Sequence, residues 1–186
     1  VIDRGDISEA ELRKRFLKEV RYQSSIKSAN VVQIIDTGLN YEPPWYVMEL
    51  ADGTLQDAIK RDRTLGSNLK STLFDILAGL EAIHELGITH RDLKPVNILR
   101  FTGDDGGVRY AISDFGLITA VASDTTTITR TGQQGGTAYY AAPELVTNFR
   151  HATTTADIYS FGAILHDIFS GAVRAPYQEL TVPGPC

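Results

Sequence analysis

The sequence predicts a domain of the α+β class. Apolar side chains recur at helical spacing in segments 7–24 and 69–86, and segment 158–169 is apolar on nearly every side, so three helices are predicted. Two pairs of short apolar runs, each pair separated by turn residues, predict antiparallel hairpins at 31–50 and 98–112. A chain of 186 residues is long enough for one domain that buries about 70% of its unfolded surface.

The first third of the chain predicts one helix and one hairpin. Leu12 and Val20 repeat at helical spacing within 7–24, and Ser8 is a candidate cap for its first turn. The β-branched run 31–37 and the run 45–50 are separated by a turn, so they predict two antiparallel strands.

The strongest predicted helix is 69–86, which Gly87 ends. Its apolar face consists of Leu69, Leu73, Ile76, Leu77, Leu80, Ile83 and His84. Thr54 is a candidate cap for a shorter helix before it, and Asp104 to Gly107 predict the turn of the second hairpin.

The last third of the chain is less regular. Segment 117–142 has no clear period and predicts a long loop, and Pro143 begins a short helix. Segment 158–169 is apolar on nearly every side, which predicts a buried helix.

Composition excludes several classes of function. The net charge is −5 and no long basic run occurs, so nucleic acid and membrane surfaces are not expected partners. No run of about 18 apolar residues predicts a membrane span, and we expect no signal peptide. Cys186 is the single cysteine, so no disulfide can form within the chain, which is typical of a reducing compartment. We therefore expect a cytoplasmic protein.

The stretch from His90 to Leu99 carries the strongest chemical signal. It contains Asp92, Lys94 and Asn97, and Asp114 follows Leu99 by fifteen residues. An acid, a lysine, an amide and a second acid are suited to an attacking hydroxyl, a phosphate and Mg²⁺. The alternative is a structural loop with solvated charges, but such a loop would not need these residues at these offsets.

These motifs resemble those of the eukaryotic-type serine/threonine protein kinases, and the resemblance extends over nearly the whole chain. It implies a kinase-like fold that consists mostly of the helical C-lobe. Residues 1–50 would form a partial N-lobe of one helix and a hairpin, and residues 51–186 an incomplete C-lobe. It also implies two cofactors, ATP and Mg²⁺, and protein substrates that carry serine or threonine.

The resemblance also implies roles for the site residues. Asp92 would orient the substrate hydroxyl and accept its proton, and Lys94 would neutralise charge on the transferred phosphoryl group. Asn97 and Asp114 would hold Mg²⁺. The implied nucleotide-binding residues are Glu19, which would pair with an ATP-binding lysine, the hinge residues Glu49, Leu50 and Ala51 after the gatekeeper Met48, and Leu99 below adenine.

Regulation and support of the catalytic loop follow from the same resemblance. Arg91 would capture a phosphothreonine of the activation loop. Candidate regulatory threonines are Thr125, Thr126, Thr127, Thr129, Thr131 and Thr137, and a polar loop without phosphorylation is an equal alternative. Asp157 would be buried and would hold the catalytic loop through its backbone N–H groups.

Three departures from the family pattern lead to a second hypothesis. No glycine-rich loop or strand lysine precedes Glu19, the last helices of the C-lobe are absent, and Gln23 is polar where the family has an apolar residue. We therefore expect weak or no activity from the chain as given. The alternative function is a pseudokinase-like binding or scaffolding module, and the open hairpin edge could pair with a second copy.

Overall fold

The computed structural model describes residues 8–115, 139–147 and 153–170. The helices are α1 (Glu9–Ser25), α2 (Leu55–Arg61), α3 (Leu69–His84), α4 (Pro143–Thr147) and α5 (Thr154–Ser170), and the strands are β1 (Ile34–Gly38), β2 (Trp45–Met48), β3 (Gly53–Thr54), β4 (Ile98–Thr102) and β5 (Val108–Ile112). Short 3₁₀ turns lie at Gly66–Asn68 and Pro95–Asn97. This mixture of helices and antiparallel strands confirms the α+β fold class.

The strands form two separate antiparallel sheets among the described residues. One contains β1 and β2, and the other has the order β3–β4–β5. Both hairpins were therefore predicted correctly. However, β1 begins at Ile34 rather than at Val31, because the backbone of Val31 and Val32 pairs with Ile112 of β5 instead.

Helix α1 and the β1–β2 hairpin form the upper part of the molecule. Ser8 caps α1 as predicted, since its Oγ accepts a bond from the N–H of Glu11 at 3.3 Å. The ring of Phe16 lies 5.6 Å from the ring of Tyr46 and packs α1 against β2. Val20 is buried as the period predicts, but Glu19 and Gln23 are buried beside it, and Leu12 is 46% exposed.

The lower part of the molecule holds the main core, and α3 packs against β5. The predicted face of α3 is correct except for Leu77, which is 41% exposed. Gly79 lies on the buried face, where an added Cβ would come within 2.5 Å of the carbonyl oxygen of Asn30. The absent side chain therefore lets the segment before β1 approach α3 closely.

Helix α5 is buried or half-buried over most of its surface, as predicted. Phe161 and Ile164 lie in the core, whereas Ile158 is 50% and Phe169 is 64% exposed. These two exposed residues share one narrow strip of the helix, away from the core. Within the described ranges, no helix is long and apolar enough to cross a bilayer.

Candidate active site

Asp157 in the first turns of α5 holds the loop that carries the predicted catalytic residues. Its side chain is fully buried. One oxygen, Oδ1, accepts the N–H of Arg91 at 2.8 Å, and the other, Oδ2, accepts the N–H of His90 at 2.8 Å. The same Oδ2 accepts Nε2–H of His84 at 2.8 Å. A buried carboxylate requires such donors, and the expected arrangement is confirmed.

His90 connects this loop to the segment that follows β5. Its Nε2–H donates to the carbonyl of Ser113 at 2.9 Å, while Nδ1 accepts the N–H of Asp92 at 3.3 Å. Because one ring nitrogen donates and the other accepts, these bonds select the neutral imidazole. The His90 ring also lies 5.2 Å from the ring of Phe115. His90 therefore links the two loops through its ring nitrogens and packs against Phe115.

Two residues of these loops have left-handed backbone conformations, although neither is glycine. The φ angle of Arg91 is +68° and that of Asp114 is +55°. Such conformations cost about 1 kcal/mol or more for a residue with a Cβ. The bond from the Arg91 N–H to Asp157 helps to hold the first of them, and strain of this kind is often found at functional sites.

The structure brings Asp92, Lys94 and Asn97 into direct contact. Nζ of Lys94 lies 2.8 Å from Oδ2 of Asp92, and Nδ2 of Asn97 donates to that oxygen at 3.2 Å and to the Asp92 carbonyl at 2.9 Å. The other oxygen, Asp92 Oδ1, is buried and has no hydrogen-bond partner in the described part of the chain. Because an unpaired buried acceptor is costly, this atom is well suited to accept a hydroxyl proton.

Asp114 joins this group through the backbone. The carbonyl of Asn97 accepts the N–H of Ser113 at 2.9 Å and its Oγ–H at 3.1 Å. Ser113 Oγ also lies 3.3 Å from Oδ2 of Asp114. Hydrogen bonds through Ser113 and Asn97 therefore connect the Asp114 segment to the Asp92 loop.

Glu19 of α1 faces the same space from above. Its side chain is buried, and Oε2 has no hydrogen-bond partner among the described residues. Burial and the neighbouring Asp114 carboxylate raise the pKa of Glu19 to about 7. Burial, Asp114 and Glu19 also raise the pKa of Tyr46 on β2. The space between α1 and the Asp114 loop is therefore acidic and suited to a cation.

Within the described residues, no group of three or more His, Cys, Asp or Glu side chains forms a metal cage. Mg²⁺ is commonly bound by one or two protein carboxylates together with waters or phosphate oxygens. Asp114 is exposed to solvent, and Asn97 is linked to it through Ser113. The donor set therefore suits a magnesium ion that is shared with a phosphate ligand.

The other predicted nucleotide-binding residues lie in the segment that connects β2 to β3 and on β4. Leu50 is 94% exposed, and the N–H of Asp52 donates to the carbonyl of Arg100 at 2.9 Å. Leu99 lies on β4 between Thr54 and Ala111 in the sheet register. Ala51 is half-buried.

Sequence reasoning missed two contacts at the site. Glu49 forms an ion pair with Arg109 of β5, with Oε2 at 2.8 Å from Nη2. His84 binds Asp157, although its sequence context indicated no role. The hinge pattern that includes Glu49 does not specify an Arg109 partner, and the partners of both pairs are far apart in the chain. The candidate regulatory residues Thr125, Thr126, Thr127, Thr129, Thr131 and Thr137 lie outside the described residues.

Comparison with known proteins gives a consistent result. A family model described as "Protein kinase domain" matches residues 1–181. The serine/threonine-protein kinase PknL of Mycobacterium tuberculosis is 35% identical over 195 aligned residues, which cover 100% of this chain and 47% of PknL. The probable serine/threonine-protein kinase pknA2 of Bifidobacterium longum is 37% identical over 86% of this chain and 20% of its own length.

The chain thus spans about half the length of PknL and less of pknA2. The family match nevertheless extends over nearly all of the sequence, and it agrees with the fold and with the grouping of residues around Asp92. The chain belongs to the protein kinase domain family.

Proposed function

We propose that the protein is an ATP-dependent serine/threonine protein kinase, which transfers the γ-phosphate of ATP to hydroxyl groups of proteins. The observation that carries this proposal is the Asp92 carboxylate. One of its oxygens binds Lys94 and Asn97, while the other is buried without a partner in the described part of the chain. The names of the relatives, PknL and pknA2, favour serine and threonine as acceptors.

In this proposal, Asp92 orients the attacking hydroxyl and accepts its proton at Oδ1. Lys94 remains beside the carboxylate and places its ammonium group where negative charge develops on the transferred phosphoryl group. The Asn97 amide holds Asp92 by two hydrogen bonds. Positioning and charge neutralisation of this kind account for most of the catalysis of phosphoryl transfer.

We propose Asn97 and Asp114 as the residues that hold Mg²⁺. When bound, Mg²⁺ would neutralise charge on the phosphate oxygens. Glu19, with its raised pKa and its unpaired Oε2, would accept a cationic side chain, as the lysine partner in the family implies. Such a cation would lower the pKa of Glu19 towards its ordinary value.

We further propose that adenine binds along Glu49, Leu50 and Ala51, above Leu99. The two separate sheets support a division into a partial N-lobe, 1–50, and a C-lobe, 51–186. Arg91 would bind a phosphorylated threonine. A kinase domain that uses ATP also favours a cytoplasmic location for this part of the protein.

The test is phosphate transfer by the full-length gene product, measured with radiolabelled ATP on a general protein substrate and on the protein itself. Asp92→Asn should lower kcat at least about 100-fold, because general base and positioning effects are of this size, while calorimetric binding of MgADP should stay within about twofold. Asp104→Asn, which changes an exposed aspartate in the β4–β5 turn, is the matched control and should transfer normally.

A wild-type protein that binds MgADP but transfers no phosphate would overturn the kinase proposal. That result would instead support the pseudokinase-like binding module. Equal activity of Asp92→Asn and wild type would show that the Asp92 loop is not the catalytic site.

A further inference from the structure

Arg109 on β5 contacts both places where the upper part of the molecule meets the lower part. Its Nη2–H donates to Oε2 of Glu49 at 2.8 Å, just where the chain leaves β2. Its Nη1–H donates to the carbonyl of Ala29, between α1 and β1. The guanidinium group also lies over the ring of Phe101, with Cζ 4.4 Å from the ring centroid. Three segments therefore hold one side chain in a single orientation.

The two contact points differ in how firmly they are fixed without Arg109. Segment 29–32 is bound to β5 by its own backbone. The Val32 N–H donates to the Ile112 carbonyl at 2.9 Å, and the Ile112 N–H donates to the Asn30 carbonyl at 2.9 Å. The Asn30 side chain adds a bond to the Tyr110 carbonyl at 3.0 Å. This segment is therefore a rigid support.

The connection between β2 and β3 has weaker support. Its backbone is bound to the lower sheet at Asp52, through the carbonyl of Arg100, but the Leu50 side chain is 94% exposed and adds little packing. Glu49 lies at the upper end of this connection and is bound by Arg109. The guanidinium fork thus links the connection to the rigid support at Ala29, which a single ammonium group could not do with the same geometry.

We propose that Arg109 is a positioning residue for nucleotide binding, which acts by holding Glu49 and thereby the backbone of Leu50 and Ala51. The inference rests on the proposed adenine site at these residues. An ion pair whose side chains are about one third exposed adds little to global stability. Its effect on binding is larger, because a segment that is already ordered does not lose conformational freedom when the ligand binds.

The experiment uses the full-length gene product and measures KM for ATP, kcat, and the Kd of MgADP by calorimetry. Arg109→Ala should raise KM and Kd by about fivefold to twentyfold and change kcat less than twofold. Arg109→Lys should recover part of the affinity. Arg100→Ala, which removes a side chain of the same charge from the neighbouring strand, should change KM by less than twofold.

A double-mutant cycle shows whether Arg109 acts through Glu49. If it does, Glu49→Ala combined with Arg109→Ala should lose no more affinity than Arg109→Ala alone. Unchanged KM and Kd in Arg109→Ala would overturn the inference, and so would fully additive losses or a fall in kcat with no change in KM. If wild type transfers no phosphate, the proposed function fails, and the MgADP titrations still decide the role of Arg109.

Discussion

Two buried carboxylates, one in the lower and one in the upper part of the molecule, have opposite surroundings. Asp157 in α5 accepts two backbone N–H groups and the His84 ring. Glu19 in α1 is also buried, but its Oε2 has no partner in the described part of the chain and lies near a second acid, Asp114. The Asp92 loop is thus held by hydrogen bonds from within the lower part of the molecule, whereas α1 presents a buried acceptor that would favour a nearby cation.

The largest expected effect comes from replacing Asp157, the carboxylate whose oxygens both accept hydrogen bonds. Asp157→Ala should lower the free energy of unfolding by about 3–5 kcal/mol, because it leaves the N–H groups of His90 and Arg91 without their acceptor. Urea unfolding measures this loss. Hydrogen exchange of the His90 and Arg91 amides should also become faster, by a larger factor than that of the amides in α3 and α5.

His84→Ala is the matched comparison for that change. It removes one of the donors to Asp157 and leaves the two backbone bonds in place, so the expected loss is about 1 kcal/mol. Equal losses in Asp157→Ala and His84→Ala would contradict the view that the backbone bonds hold the catalytic loop.

The unsatisfied carboxylate should make stability depend on pH. The pKa of Glu19 is raised from 4.5 to about 7 in the folded chain, so between these values the folded state holds a proton that the unfolded state has lost. Stability should therefore fall as pH rises from 4.5 to 7, by about 3 kcal/mol at most, and change little from this group above that range. Urea unfolding at a series of pH values measures this slope.

Glu19→Gln should remove the slope, because an amide does not titrate, and should be more stable than wild type at pH 8. Glu81→Gln on the exposed face of α3 is the control and should leave the pH profile unchanged. If the full-length protein supplies a cation to Glu19, its free energy of unfolding should depend less on pH. Glu19→Gln should then lower the free energy of unfolding, because it removes the negative partner of that cation.

The sequence predicted those features that depend on local spacing. Periodicity located α1 and α3, the turn residues located both hairpins, and the offsets among Asp92, Lys94 and Asn97 predicted that these side chains meet. Each of these features is decided within a few residues by helix geometry or turn chemistry. The capping role of Thr54 was predictable for the same reason, since its hydroxyl accepts the N–H of Asp57.

Features decided by distant segments could not be predicted in this way. Leu77 fits the helical period of α3 but is exposed, while Gly79 does not suggest a core position and yet lies against Asn30. The pair between Glu49 and Arg109 joins residues 60 positions apart, and no local pattern marks it. Periodicity identifies the apolar residues of an element, but the element that packs against them decides which become buried.

Gln23 in α1 is a buried polar side chain that, unlike Glu19 Oε2, has a hydrogen-bond partner among the described residues. The family pattern places an apolar residue at this position of the helix. In the structure, Gln23 is 2% exposed and its Nε2–H donates to the buried carbonyl of Val32 at 2.9 Å. This bond ties α1 to the segment that pairs with β5.

A smaller effect than that of Asp157→Ala or of the Glu19 titration is therefore expected of Gln23→Leu. The larger apolar side chain recovers burial energy, but the Val32 carbonyl loses its donor, and a buried unpaired carbonyl costs about 1–3 kcal/mol. We expect the free energy of unfolding to fall by about 1 kcal/mol, measured by urea unfolding beside Ser24→Ala, which removes a half-buried bond from the next residue. A gain in stability in Gln23→Leu would show that α1 prefers the apolar residue of the family and that the bond to Val32 does not position it.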